Sequence, residues 1–236
     1  MSGGWVSVGL PLRRRPLPAV GTIELWLTDL AELPLEAGPS GLTRRERVLK
    51  RRIQQQFVLR LLLGSYLGLP GKDVRVVRGE RGKPALSPDQ ALSGLHFNVS
   101  HSGSWLAIAL TRELAVGVDI EAERSLRRPV DMARRYFPED EAEWLASRDE
   151  SVQSRLFLVQ WTAREALVKA TGSGLAGVLP KIRLGFNPAR IQALPESWPA
   201  PARWSLIQPQ MPAGVVGHVA AAASDLGLKR YFLQTG

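Results

Sequence analysis

The chain has 236 residues, no cysteine, 44% hydrophobic residues and a formal net charge of +9. This length allows one large or two small domains, and the hydrophobic content is sufficient for a packed core, which excludes disorder of the whole chain. Without cysteine there are no disulfides or thiolate metal sites, and no apolar run reaches the roughly 20 residues of a membrane-spanning helix.

The first half of the chain is predicted to combine strands with one long helical region. Residues 1–20 are rich in Gly and Pro and are expected to be loosely ordered. Thr43 is a candidate N-cap, and Glu46 occupies the capping-box position three residues later. Alternating or continuous apolar patterns predict strands at 22–28, 74–77 and 105–110, and helical segments at 43–52 and 57–67.

The second half repeats this order weakly. A strand is predicted at 116–121, and Gly172 and Gly174 end a long helix predicted at 152–170. We therefore interpret 21–115 and 116–236 as two similar halves. The remaining predicted elements are helices at 131–136 and from 138 onward, and strands at 182–186, 204–207, 215–223 and 231–233.

Charge is unevenly distributed along the chain. Six basic residues lie within 44–52 beside the single acid Glu46, whereas 11 of the 22 acids lie within 113–150. Basic charge can simply serve solubility, or it can bind a polyanion. A nucleic-acid-binding surface usually has basic residues spread along it. The segregated pattern instead favours a site that holds both a metal and phosphates, so we expect no nucleic-acid partner.

Asp119 and Glu121 are two residues apart on a predicted strand. Their carboxylates therefore project from one face, with Cα atoms about 7 Å apart. Such a pair is most often the solvated face of an edge strand. The apolar neighbours Val118 and Ile120 favour a buried strand with a functional face instead.

Glu165 and Lys169 share one face of the predicted long helix, which would also be compatible with a surface ion pair. However, Phe157 and Trp161 precede them at the same four-residue spacing. A stripe that changes from aromatic to charged indicates a helix that runs from a core into a cleft. Arg164 is expected to be exposed or to face a phosphate.

These acids suit a divalent cation. Mg²⁺ prefers oxygen ligands, and Asp119, Glu121 and Glu165 could supply the protein share. His101, which follows Ser100, is either a core or turn histidine or a phosphate contact. Together the residues point to phosphoryl-group chemistry.

Four motifs in this order resemble the surfactin-type 4′-phosphopantetheinyl transferases. They are Gly82-Lys83-Pro84, the segment 97–102 containing Ser100 and His101, the segment 117–121 containing Asp119 and Glu121, and the segment 161–175 containing Arg164, Glu165 and Lys169.

The resemblance implies a fold and a reaction. The fold would be α+β: a monomer of two pseudo-symmetric halves, each a small, mainly antiparallel sheet packed with a long helix, and an active site in the cleft between them. The enzyme would transfer the 4′-phosphopantetheine arm of coenzyme A to a serine of an acyl or peptidyl carrier protein, releasing 3′,5′-ADP. Carriers of this kind are typically acidic, which suits the basic chain. The expected location is the cytoplasm, with no membrane partner.

The resemblance also implies roles for single residues. Asp119, Glu121 and Glu165 would hold Mg²⁺, and Lys169 would neutralise the leaving phosphate. The remaining assignments are Lys83, Ser100 and His101 as contacts of the nucleotide, Arg52 as the favoured arginine for the 3′-phosphate, and Arg164 as a phosphate contact in place of the usual lysine.

The base that deprotonates the carrier serine stays open between Glu141 and Glu165. The main alternative function is a metal-dependent phosphohydrolase or nuclease that uses the same acids. A nucleic-acid-binding module without catalytic activity is the third.

Overall fold

A computed structural model describes residues 4–33, 43–79, 82–174, 177–186 and 188–234. They form an α+β structure, which confirms the predicted class. The strands are β1 (Trp5–Gly9), β2 (Thr22–Asp29), β3 (Val76–Arg78), β4 (Pro84–Leu86), β5 (Leu95–Ser102), β6 (Trp105–Arg112), β7 (Val116–Ala122), β8 (Arg183–Gly185), β9 (Arg190–Ala193), β10 (Ser205–Ile207), β11 (Val215–Ala221) and β12 (Gly227–Gln234). The helices are α1 (Arg44–Leu67), α2 (Pro88–Ala91), α3 (Pro129–Tyr136), α4 (Glu139–Ala146) and α5 (Glu150–Thr171).

Two sheets form the centre of the molecule. The larger has the strand order β1-β12-β2-β6-β5, and the smaller, fully antiparallel sheet has the order β10-β11-β7. β12 runs parallel to both of its neighbours, so the larger sheet is mixed. β3 pairs with β4, and β8 pairs with β9, as two small separate ladders.

The N-terminal segment is more ordered than expected. Trp5–Gly9 is a strand because its backbone pairs with the edge of β12, and Val8 packs against the core. Further along, the backbone N–H of Arg15 donates to the carbonyl of Ser65 at 2.8 Å. The prediction of a loosely ordered segment is therefore wrong for this part of 1–20.

The layers follow the order α1, larger sheet, smaller sheet, α5. Successive side chains of a strand point to opposite faces, and β2 shows this directly. Trp26 packs in a core with Leu59 and Leu63 of α1. Leu25, on the opposite face, packs in a second core with Val118 of β7.

α1 and α5 are the two long helices. α1 starts with the predicted capping box: the N–H of Glu46 donates to Oγ1 of Thr43 at 3.3 Å, and the Thr43 N–H donates to the Glu46 carboxylate at 2.7 Å. It continues without interruption to Leu67 and ends at Gly68, whose φ of 69° is in the left-handed region.

α5 lies directly on β7 because Gly117 has no side chain. A Cβ at that position would stand 1.9 Å from the carbonyl oxygen of Ala166 and 2.4 Å from the N atom of Ala170. This close approach places the charged end of α5 against the acids of β7. None of the helices among the described residues has the length and apolarity needed to cross a bilayer.

Candidate functional site

Asp119 is the most buried acid of the site, with 6% of its surface exposed. Its Oδ1 accepts hydrogen bonds from Nζ of Lys169 at 2.6 Å and from Oγ of Ser100 at 2.8 Å. Burial raises the pKa of the Asp119 carboxyl, and the ammonium of Lys169 opposes that rise. Lys169 therefore forms an ion pair with Asp119, and its role toward a leaving phosphate stays a prediction.

The edges of the two sheets meet through side chains at β5 and β7. Three polar side chains at alternate positions of β5 accept hydrogen bonds from alternate backbone N–H groups of β7, an arrangement that we call the β5–β7 ladder. Its rungs are Val118 N–H to Oδ1 of Asn98 at 2.9 Å, Ile120 N–H to Oγ of Ser100 at 3.2 Å, and Ala122 N–H to Oγ of Ser102 at 3.0 Å.

The two serines of this ladder also orient the acids. Ser100 donates to Asp119, and Ser102 donates to Oε2 of Glu121 at 2.6 Å. Arg124 binds the same oxygen of Glu121 at 2.7 Å. Asp119 and Glu121 therefore project from one face of β7, as the two-residue spacing predicted.

Glu165 faces these two carboxylates from α5, with 9% of its surface exposed. Burial, followed by the negative charges of Asp119 and Glu121, raises its pKa to about 7, although Lys169 acts in the opposite direction. The three predicted acids therefore share one electrostatic environment. Within the described part of the chain, however, no group of three His, Cys, Asp or Glu side chains has the spacing of a metal site. The magnesium site stays a prediction.

A basic cavity of about 550 Å³ lies beside the acids. Nη1 of Arg51 donates to the carbonyl of Gly103 at 2.5 Å and so joins α1 to the turn after β5. Partial burial and the positive charges of Lys169 and Arg51 lower the pKa of His101. The cavity is lined by Arg44, Arg47, Val48, Arg51, Arg52, Gln55, His101, Ser102, Gly103 and Glu121.

Lys83 connects the first half to the C-terminal end of α5. Its Nζ donates to the carbonyls of Lys169 and Ala170, and to that of Val116 at 3.2 Å. Burial lowers the pKa of Lys83 to about 8. Lys83 also lines a second cavity of about 310 Å³, whose wall includes Phe97. Its ammonium is thus occupied with helix carbonyls, and its role as a nucleotide contact stays a prediction.

Glu141 of α4 and Arg164 of α5 face each other in the interior of the protein. They form an ion pair with 3% and 0% of the two side chains exposed. Arg164 also donates to the carbonyl of Gln160 at 3.1 Å, and its guanidinium lies 4.0 Å from the ring centre of Phe137. The prediction that Arg164 is exposed or faces a phosphate is wrong, because this side of α5 is covered by α3 and α4. Glu141, a candidate base, is equally enclosed: its Oε1 accepts from the Leu184 N–H at 2.9 Å.

Sequence reasoning overlooked the structural role of β5. The sequence analysis predicts no strand at 97–103, so the roles of Asn98 and Ser102 were missed. The signal was present, because apolar Phe97 and Val99 alternate with polar Asn98, Ser100 and Ser102. Arg124, which binds Glu121, had no signal in the sequence.

Two family models match the chain. The model of the 4′-phosphopantetheinyl transferase superfamily matches residues 115–212, and that of the N-terminal region of 4′-phosphopantetheinyl transferases matches residues 44–113.

Similar proteins carry the same description. A putative 4′-phosphopantetheinyl transferase of Synechocystis sp. is 32% identical over 185 residues, which is 74% of each chain. The 4′-phosphopantetheinyl transferase HetI of Nostoc sp. is 36% identical over 64% of this chain and 62% of its own length. The human L-aminoadipate-semialdehyde dehydrogenase-phosphopantetheinyl transferase is 28% identical over 70% of this chain and 59% of its own. No comparison favours a phosphohydrolase or a nuclease. The chain therefore belongs to the 4′-phosphopantetheinyl transferase superfamily and is an enzyme of the transferase class, as its motifs predicted.

Proposed function

We propose that this enzyme binds coenzyme A where α1, β5, β7 and α5 meet, and transfers its 4′-phosphopantetheine arm to a serine of an acyl or peptidyl carrier protein. The observation that carries this proposal is the continuity of the basic cavity with the acid cluster. Glu121 belongs to both, since it lines the cavity beside the arginines of α1 and lies in the electrostatic range of Glu165. A nucleotide with several phosphates matches such a change of charge along one cavity.

The nucleotide end of coenzyme A would bind in the basic cavity. Its volume of about 550 Å³ is in the usual range of small-molecule sites. Guanidinium groups bind phosphates through two parallel hydrogen bonds, so Arg51 and Arg52 are suited to the 3′-phosphate. His101 lines the same cavity, while the buried Ser100 acts indirectly through Asp119 and β7.

Asp119, Glu121 and Glu165 would hold Mg²⁺. Their oxygen donors match the preference of this ion. The pKa of Glu165 is raised first by burial and then by the negative charges of Asp119 and Glu121, and a cation would balance those charges. When bound, such an ion supplies charge neutralisation at the phosphates. Lys169, already within 2.6 Å of Asp119, would add positive charge for the leaving 3′,5′-ADP.

Glu165 is the better candidate for the carboxylate that accepts the proton of the carrier serine. Both oxygens of Glu141 are engaged inside the protein, one by Arg164 and the other by the backbone of Leu184. Glu165 has no such partners in the described structure, and it lies in the electrostatic range of Asp119 and Glu121, where the phosphates would be held. An acidic carrier, a monomeric enzyme and a cytoplasmic location remain predictions.

The test is incubation of the enzyme with coenzyme A, Mg²⁺ and a panel of apo carrier proteins, followed by mass spectrometry. We expect a mass gain of one phosphopantetheine on at least one carrier. Asp119→Asn and Glu165→Gln should abolish the gain, whereas Asp131→Asn, at an exposed acid on α3, should not. Release of phosphate from coenzyme A or cleavage of nucleic acid, with no adduct on any carrier, would support the alternative function.

A further inference from the structure

Each of the two carboxylates on β7 is paired with a cation that the chain itself supplies. Oδ1 of Asp119 is bound to Nζ of Lys169 at 2.6 Å. Oε2 of Glu121 is bound to Nη1 of Arg124 at 2.7 Å. A divalent cation at the same carboxylates therefore has to compete with these two positive charges.

The two pairs differ in how firmly the cation is held. Lys169 also donates to Oγ of Ser100 at 3.2 Å, and 28% of its side chain is exposed. The side chain of Arg124 is 50% exposed. Its hydrogen bonds within the described residues, to Glu121 and to the carbonyl of Ala122 at 3.0 Å, both use Nη1. An ion pair made through one nitrogen and half in solvent contributes little free energy, so Arg124 is the easier cation to displace.

The side chain of Arg124 can leave its carboxylate without movement of the backbone. On one side of it, the N–H of Glu123 donates to the carbonyl of Gly214 at 2.7 Å. On the other side, the N–H of Leu126 donates to Oγ of Ser154 at 3.0 Å. These bonds hold the chain on both sides of the arginine, so only side-chain rotation is needed to change its partner.

Glu121 keeps its orientation when the arginine leaves. Oγ of Ser102 donates to the same Oε2 at 2.6 Å and is itself held by the N–H of Ala122. Glu121 also lines the basic cavity that is proposed to bind the nucleotide. Arg124, bound to this carboxylate, therefore lies next to the place where the phosphates would be held.

We propose that Arg124 is an exchangeable counter-ion, which pairs with Glu121 in the free enzyme and with a phosphate of coenzyme A once Glu121 binds a divalent cation. The inference rests on the proposed function and adds one residue to the groups that bind the phosphates. The exchange keeps every charge paired, because the carboxylate gains the cation and the guanidinium gains a phosphate. The metal and coenzyme A then bind cooperatively, since each offers a new partner to one member of the broken pair.

The alternative role of Arg124 is to hold Glu121 in position for the metal. The two roles predict opposite changes in metal affinity when the charge of the arginine is removed. An arginine that orients the carboxylate would leave it less ordered, and the metal would bind more weakly. An arginine that competes leaves the carboxylate available, and the metal binds more tightly. The bond from Ser102, which remains in either case, favours competition.

The test measures binding of Mn²⁺ without coenzyme A, from the loss of the electron paramagnetic resonance signal of the free ion. In Arg124→Gln the Kd for Mn²⁺ should fall about threefold, as expected for the loss of one exposed ion pair. Arg155→Gln is the matched control, because it removes the same charge from an exposed pair with Glu123 at 3.0 Å. Its Kd should equal that of the wild type. Arg124→Lys keeps the charge and should also stay close to the wild type.

Coenzyme A provides the second measurement. In the wild type it should lower the Kd for Mn²⁺, after correction for the ion bound by free coenzyme A. In Arg124→Gln the factor of this decrease should be at least threefold smaller, because the guanidinium no longer reaches a phosphate. The KM for coenzyme A in the transfer assay should rise by about the same factor, with Arg155→Gln again unchanged.

An unchanged or raised Kd for Mn²⁺ in Arg124→Gln without coenzyme A overturns the exchange. So does an equal decrease of the Kd in Arg155→Gln, which would assign the effect to net charge alone, or an effect of coenzyme A in Arg124→Gln as large as in the wild type. A wild-type enzyme that binds Mn²⁺ neither alone nor with coenzyme A would instead overturn the metal site of the proposed function, and the exchange with it.

Discussion

Breaking the buried ion pair between Glu141 and Arg164 separates a structural role of Glu141 from a catalytic one. The change Glu141→Gln keeps the shape of the side chain but removes its charge, which leaves the guanidinium of Arg164, 0% exposed, without a counter-ion. Removing one partner of a buried pair costs about 3–5 kcal/mol. For a chain of this size each kcal/mol lowers the melting temperature by about 2–4 °C, so we expect a loss of roughly 6–20 °C.

The unfolding free energy would be measured by urea denaturation with tryptophan fluorescence and circular dichroism. Transfer to a carrier would be assayed in the cold, where the variant is still folded. If the pair is structural, the variant loses stability but keeps a kcat close to that of the wild type.

The double variant Glu141→Leu/Arg164→Met is the matched control. It replaces both charges with apolar side chains, so no lone charge remains inside, and such replacements are often neutral or stabilising. We expect it to recover most of the stability lost by Glu141→Gln. Wild-type stability of Glu141→Gln together with loss of transfer would refute the reasoning and make Glu141 a catalytic residue.

Three further changes test the fold around the site. Gly117→Ala should lower the free energy of unfolding by about 3 kcal/mol or more, because the new Cβ would stand 1.9 Å from the Ala166 carbonyl oxygen. Gly79→Ala is the control: its Cβ meets no atom closer than 3.6 Å, so its melting temperature should equal that of the wild type. Burial lowers the pKa of His218 to about 3. As the pH falls from about 6.5, the imidazole therefore gains a proton in the unfolded chain but not in the folded protein. The free energy of unfolding should then decrease by up to about 1.4 kcal/mol per pH unit. In urea titrations at several pH values, the free energy of unfolding of His218→Gln should depend less on pH than that of the wild type. The same pH dependence in both proteins would contradict this role of His218. Asn98→Ala removes the acceptor of a β5–β7 rung, and should cost about 1–3 kcal/mol with faster amide exchange in β7.

Local periodicity was sufficient to predict on which faces of β7 and α5 the candidate acids lie. Asp119 and Glu121 share a face because strand side chains alternate, and Glu165 and Lys169 share a face because they are four apart on a helix. The capping box at Thr43 was equally predictable, since it depends on residues three positions apart.

The errors arose where long-range packing decides the outcome. Arg164 has the sequence context of a surface residue. However, α5 is enclosed on two sides and 11 of its 22 residues are buried, so the sequence pattern does not separate a buried face from an exposed one. β12 joins the larger sheet beside β2, a pairing that no local pattern encodes. β5 was missed because Asn and Ser are typical of turns. Here their side chains accept hydrogen bonds from β7 N–H groups that would otherwise bond to the backbone of a neighbouring strand.

The β5–β7 ladder connects the contact between the two sheets to the carboxylates of Asp119 and Glu121. Ser100 and Ser102 each accept a hydrogen bond from a β7 amide and donate one to a carboxylate, that of Asp119 or of Glu121. A cation bound to these carboxylates, as proposed above, would draw electron density from them and weaken the hydrogen bonds that the two hydroxyls donate. Binding of a cation at the acids and the stability of the contact between the two sheets would then be thermodynamically linked, so amide exchange in β7 would report on binding.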